Sequence, residues 1–247
     1  ILIPVFLATI LNLKYGLKSA WKNLSKFILA FLIIPSVVWV LVLKEPYGLF
    51  TIKRAFAFFI EGAAMLSGQA LNLNWIVTYL IHIFQPEKDS LSHLGGLNRQ
   101  IATYDAPVIF QGYLFYLAVF VVLVIYWMVQ KKNIVNFVST SIMIFFSHHI
   151  LNKSAYEKHL FYTVLFMLAL YLLRPTKTNR LFLILFDIMT IMNLAFFYGF
   201  TGPKDINRLF FGFDMTVAFA VYYTLIYLWI FWKYIRSKGL LFAKDLI

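Results

Sequence analysis

The sequence predicts an all-α fold: a polytopic transmembrane helical bundle with a long external loop carrying interfacial helices. Three observations predict it. Of 247 residues, 62% are hydrophobic and 13% charged, with a mean hydropathy of +0.80; a soluble domain carries about twice that charge. The apolar residues fall in blocks of about 17 to 23, the length of helix that crosses a hydrocarbon core of roughly 30 Å. These blocks are continuous and show no two-residue alternation, which argues against a membrane barrel. In lipid, backbone groups must be satisfied within their own segment, so such blocks are helical.

Ile1–Leu13 opens the chain inside an apolar run; at about 20 Å of helix it is a partial span. With no basic leader before it, the chain reads as the C-terminal part of a longer protein. Phe27–Leu43 is the next span, kinked at Pro35. Val108–Val129, Ile134–Ile150, Tyr156–Leu173, Leu181–Phe200 and Met215–Trp232 follow as full spans in one transmembrane domain, 1–247. Leu71–Phe84 has 14 residues, short for a crossing and suited to an interfacial or re-entrant segment.

Sidedness follows from lysine and arginine. With Lys14–Lys26 placed in the cytoplasm and the sides alternating, 13 bases face inward: Lys14, Lys18, Lys22, Lys26, Lys131, Lys132, Arg174, Lys177, Arg180, Lys233, Arg236, Lys238 and Lys244. One acid, Asp245, accompanies them, while 9 bases and 8 acids lie outside and Asp187 lies within a span. A crossing at Leu71–Phe84 would invert every later loop, so this segment dips and returns. Residues 44–106 are then one external connection, ending in a polar tail from Gln85 to Pro107.

Cysteine is absent, which excludes disulfides, thiolate metal sites and a cysteine nucleophile. The net charge of +12 is spread between apolar blocks, a pattern of membrane topology with no nucleic-acid partner.

Several polar groups interrupt the apolar background. Arg54 and Glu61 are seven apart and share a helical face. Two readings fit: an interfacial helix with a wet polar stripe, or a site where Lys53 or Arg54 meets an anionic head group. Asn74, Thr78 and His82 repeat every four residues, as a wet stripe or as the lining of a cavity for a lipid-linked substrate.

The densest cluster runs from Ser147 to Phe161 and holds His148, His149, Lys153, Glu157, Lys158 and His159. Ser154 and Glu157 fit a capping box, and Asn152-Lys153-Ser154 is a glycosylation sequon. The histidines lack the spacing of a metal site with carboxylates, and no metal or cofactor is expected. Gly202–Arg208 is an external turn in which Lys204 and Arg208 add positive charge. Asp187, costly within a span, is expected to face the bundle and pair there.

Ala155-Tyr156-Glu157-Lys158-His159-Leu160-Phe161 resembles the His-Glu-Lys-His-Leu-Phe type of motif in GT-C superfamily membrane glycosyltransferases. Arg54-Ala55-Phe56 and Gly68-Gln69-Ala70-Leu71-Asn72-Leu73-Asn74-Trp75 are similar to the long external loop of those enzymes. The resemblance covers most of the chain, as the C-terminal half of such an enzyme. Tyr156 stands where the family often has His, and tyrosine is no general base at neutral pH.

The resemblance implies transfer of a hexose, mannose-like, from a polyprenyl-phosphate sugar at the extracytoplasmic face. The acceptor would be a glycan, lipid or protein. Lys158 and His159 would stabilise the leaving phosphate, with Glu157, Arg54, Asn74 and Arg208 completing the substrate-binding set. The family's catalytic carboxylate is expected upstream of residue 1, so no catalytic base is named. A plasma membrane, or endoplasmic reticulum in a eukaryote, is the implied location. Two other classes stand beside this one: a transporter or lipid-linked-sugar flippase, which calls for ionisable groups near the midplane, and a non-catalytic membrane subunit.

Overall fold

A computed structural model describes residues 40, 43, 44, 49, 66–68, 70–85, 106–111, 113–130, 133–153, 155–156, 158–198, 209–210, 213–237 and 241–242. The chain divides into two compact units, Ile1–Ala63 and Ala64–Ile247. In the first unit Val40, Leu43 and Leu49 are helical and exposed. The spans expected at Ile1–Leu13 and over most of Phe27–Leu43, the Pro35 kink, Arg54, Glu61, Glu157, Arg208 and most of the polar tail lie outside the described residues.

The second unit is helical. Its described elements are α1 (Leu73–Phe84), α2 (Val108–Gln111), α3 (Leu114–Val129), α4 (Ile134–Leu151), α5 (His159–Leu173), α6 (Lys177–Tyr198) and α7 (Met215–Arg236). A two-residue hairpin, β1 (Leu209–Phe210) against β2 (Phe213–Asp214), precedes α7 with Leu209 opposite Asp214. Among the described residues, three helices are long and apolar enough to cross a membrane: α4, Lys177–Phe197 of α6, and α7.

α4 is the hub, packed against α1, α3, α5 and α7. It is buried at every position from Val138 to Ile150. Its small hydroxyls fold back onto their own backbone, Ser139 to the Val135 carbonyl at 2.7 Å and Ser141 to Phe137 at 2.9 Å, so they enter the interior satisfied. Tyrosines on α7 tie the bundle together. Tyr227 shares a hydrogen with Ser147 at 3.0 Å, Tyr234 with Thr140 at 2.8 Å, and Tyr223 donates to the Met189 carbonyl at 2.7 Å. Between helices in lipid, where apolar burial gives little drive, such bonds add to close packing.

The outer faces are apolar. Val121, Ile125 and Met128 of α3, Leu165, Leu168 and Leu172 of α5, and Leu225, Trp229 and Trp232 of α7 are all exposed. Contiguous apolar area of this extent is foreign to a water-facing monomer and suits hydrocarbon.

Several boundaries correct the sequence reading. The block Val108–Val129 holds two helices, Val108–Gln111 and Leu114–Val129, where one was expected. α5 begins at His159 rather than Tyr156, and Lys158 is its N-cap without a side-chain cap bond; Ser154 and Glu157, the expected capping box, lie outside the described residues. Asp187 does not face the bundle: it is exposed on α6. Asn74 and Thr78 are 2% exposed, so their stripe is neither wet nor the wall of an open cavity; it is packed against α4 and α7.

Candidate functional site

The C-terminal ends of α4 and α6 and the N-terminal ends of α1, α5 and α7 meet at one end of the second unit. Polar side chains concentrate there because each terminus leaves backbone groups that its own helix cannot satisfy.

Asn72 organises the start of α1. Its extended backbone and side-chain oxygen make it the N-cap, accepting the Trp75 amide hydrogen at 2.9 Å, the usual role of Asn at that position. Its Nδ2 donates to the His149 carbonyl at 3.0 Å. Two residues along, Nδ2 of Asn74 donates to the Asn152 carbonyl at 2.9 Å. Both asparagines therefore clip α1 to orphan carbonyls at the end of α4. Trp75 extends the junction to α7: its indole Nε1 donates to Thr216 Oγ1 at 2.8 Å, and Thr216 passes its own hydrogen to Asp214 Oδ1 at 2.6 Å. Asp214 also caps α7 through the Thr216 amide. Asn193 of α6 takes the Leu71 amide hydrogen at 2.7 Å.

Ahead of α1, Gly68 lies parallel to Tyr156 and donates its amide to the Ala155 carbonyl at 2.9 Å. A Cβ at residue 68 would stand 2.8 Å from Tyr156 Cδ1 and 2.9 Å from that carbonyl oxygen. Glycine is required for this approach.

The Tyr156 backbone presents the start of α5. Nδ1 of His159 accepts the Tyr156 amide hydrogen at 2.9 Å, while the His159 amide donates to the Tyr156 carbonyl at 3.0 Å. This reciprocal pair, three residues apart, closes the turn that leads into α5. With Nδ1 accepting, the ring is the neutral tautomer that carries its proton on Nε2.

Rings stack around it. His148 meets His159 edge-on at 4.8 Å, Tyr116 of α3 meets His148 at 5.3 Å, and Tyr156 meets His159 at 5.7 Å. Nε2 of His148 is within 2.8 Å of Asn152 Nδ2, and because the amide nitrogen can only donate, Nε2 accepts. Two lysines crown the group: Lys158 Nζ lies 5.4 Å from the Tyr156 ring centroid, and Lys153 Nζ 4.7 Å from that of Tyr113, both within cation–π range.

His149 differs from its neighbours. It is 0% exposed, and neither ring nitrogen has a well-formed hydrogen bond, although the backbones of Leu71 and Tyr156 lie against the ring. The Tyr116 hydroxyl, Asn152 Oδ1 and Asn193 Nδ2 are likewise buried and unpaired.

Of the residues singled out in the sequence, Lys158 and His159 stand together at this end, one exposed and one half-buried. Asn74 is in the same junction as a buried clip. Glu157, Arg54 and Arg208 lie outside the described residues. The Asn152 sequon is not presented for modification: its side chain is 7% exposed and its amide is engaged. Among the described residues no group of three or more histidines, aspartates or glutamates is placed to hold a metal ion.

Sequence reasoning gave Gly68 no role of its own and missed Tyr113, Tyr116 and Asn193. The last was legible in part, as an amide inside an apolar span. Tyr116 was camouflaged by aromatic neighbours. In chemical terms the site offers an exposed ammonium, an imidazole N–H held in one tautomer, and a second ammonium on an aromatic bed, which suits an anion at a membrane boundary. The chain matches no known protein family, no characterised protein and no solved structure.

Proposed function

We propose that this chain is the C-terminal part of a membrane glycosyltransferase that moves a hexose from a polyprenyl-phosphate sugar to an acceptor at the extracytoplasmic face. The observation that carries this reading is the pairing of Lys158 with the Nε2–H of His159 at the helix-end cluster. As the sugar leaves, negative charge grows on the carrier phosphate. Donors already oriented toward that charge stabilise the transition state without reorganising. His159 is held by its bond to the Tyr156 amide, and Lys158 rests against the Tyr156 ring, so Tyr156 positions both donors. In this reading the position that departs from the family's histidine has a structural role.

Lys153, Arg54 and Arg208 would widen the positive rim, and the basic loops on the opposite side would hold the bundle in its orientation. The carboxylate that activates the acceptor would come from outside residues 1–247.

Transfer of hexose from a polyprenyl-phosphate donor, measured in membranes containing the full-length protein, tests the proposal. Lys158→Ala is expected to lower turnover by roughly 10²-fold, the scale for losing one donor to a developing oxyanion, and Lys158→Arg to retain a measurable part of it. Unchanged turnover in both Lys158→Ala and His159→Ala removes the cluster from the mechanism.

A further inference from the structure

We propose that the outer face of α7 at its C-terminal end binds one anionic phospholipid, its phosphate held between Lys233 and Arg236 and an acyl chain lying along Trp232, Trp229 and Leu225. The inference rests on α7 crossing the membrane and is independent of the transferase reading.

α7 has two faces. Tyr223, Tyr227, Ile230 and Tyr234 are buried against the bundle, whereas Leu225, Trp229, Trp232, Lys233 and Arg236 are exposed. At 3.6 residues per turn the exposed five fall within an arc of about 100°. Along the helix they run from aliphatic to indole to base. A membrane helix meets hydrocarbon, interface and head groups in that order as it leaves the bilayer.

The two bases are arranged for an anion. Three residues apart, they are neighbours on the helix surface. Arg236 Cζ lies 5.6 Å from the Trp232 ring centroid, within cation–π range, and the forked donors of a guanidinium match phosphate oxygens. α7 itself carries no acid; its N-cap Asp214 is at the far end of 22 residues, about 33 Å away. The turn that follows α7 packs on the other side of the helix, where Phe242 is buried against Phe182 at 5.1 Å and Tyr234 at 6.5 Å. α6 runs antiparallel, since Phe182 meets Trp229 at 6.3 Å and Phe196 meets Phe219 at 4.8 Å. Its exposed Lys177 and Arg180 are therefore at the same end, on a different helix. Charge complementarity selects an anionic head group over a zwitterionic one.

The full-length protein, purified in detergent, is titrated with dioleoylphosphatidylglycerol or dioleoylphosphatidylcholine, and retained lipid is counted by native mass spectrometry. One phosphatidylglycerol is expected to bind at least about tenfold more tightly than phosphatidylcholine, the scale set by two bases at a charged head group. Lys233→Gln/Arg236→Gln should abolish that preference. Lys177→Gln/Arg180→Gln removes the same charge at the same end and should lower affinity less than about threefold, because screening isolates separate sites. Trp232→Leu, which leaves both bases, should weaken retention by about threefold. Equal binding of the two lipids would overturn the proposal. So would equal losses in the two double variants, the mark of a diffuse field. A second polypeptide retained in place of the lipid and released by Lys233→Gln/Arg236→Gln would also overturn it. The parent's lipid preference is read without any substitution, so the proposal stands or falls on it even where a variant fails to fold. Because the readout is retained lipid, its failure leaves glycosyl transfer untouched.

Discussion

Nδ1 of His159 accepts the Tyr156 amide hydrogen at 2.9 Å, and the proton of that ring is thereby confined to Nε2. One side chain thus holds the turn before α5 with one nitrogen and offers a donor with the other. The two roles can be separated by substitution. Asn at residue 159 can place its oxygen near the position of Nδ1 but has nothing at Nε2. His159→Asn should keep the unfolding temperature in detergent close to that of the parent while hexose transfer falls. His159→Ala should lose both, with about 1 kcal/mol of stability gone with the hydrogen bond to Tyr156. Equal activity in the parent and His159→Asn would show that Nε2 contributes nothing.

Gly68→Ala is expected to be severe. The new methyl would fall 2.8 Å from Tyr156 Cδ1 and 2.9 Å from the Ala155 carbonyl, and overpacking costs about 1–3 kcal/mol. Removing the ring as well, in Gly68→Ala/Tyr156→Ala, relieves only the first clash because backbone remains. Thermal unfolding should therefore show partial rescue. Full rescue would assign the cost to the ring alone.

Asn72 caps α1 with its oxygen and holds the His149 carbonyl with its nitrogen. Asn72→Asp keeps the acceptor and loses the donor, whereas Asn72→Ala loses both. Asn72→Ala should cost about 1–2 kcal/mol. Asn72→Asp should be no better than Ala, because it turns a carboxylate oxygen toward a buried carbonyl. Stability measured by urea-induced unfolding in micelles would separate them, and an Asp variant as stable as the parent would exclude the clip to His149.

The buried, unpaired ring of His149 carries a desolvation penalty with no bond in return. His149→Leu is therefore expected to leave stability unchanged or raise it by about 1 kcal/mol. If transfer activity falls at the same time, the imidazole is retained for chemistry or ligand contact. A clear loss of stability would mean that its nitrogens have partners in the membrane.

For the α7 tyrosines, a double-mutant cycle on Ser147→Ala and Tyr227→Phe should return a coupling of about 0.6 kcal/mol, the ordinary value for a hydrogen bond between membrane helices. A coupling near zero would reduce that contact to proximity.

Helices were readable wherever apolar length decided the matter. α4, α6 and α7 lie within a few residues of their expected positions because nothing in those blocks competes with the helix. Boundaries failed where a side chain outranked the pattern. Hydropathy carried α5 back to Tyr156, but the His159 ring takes that amide and a backbone bridge to Gly68 holds the preceding residues. Asn74 and Thr78 were recognisable as a polar stripe, and their destination was not: the carbonyl that Asn74 meets is 78 residues away. Asp187 reversed its expected side because periodicity locates a face without naming what covers it. Lys158 and His159 could be read as a pair from adjacency alone. The tautomer that makes them useful could not, since it depends on a hydrogen bond visible only in three dimensions.

The bond from Trp75 to Thr216 joins residues 141 positions apart. During synthesis, Trp75 leaves the ribosome long before Thr216 exists, so its indole N–H has no partner while α3 to α6 are being made. Asn72 and Asn74 can clip α1 to the end of α4 before that, and α7 supplies the contact that α1 acquires afterwards. A chain truncated before residue 216 should therefore leave the Trp75 indole without its acceptor, and insertion of α7 is the event that supplies it.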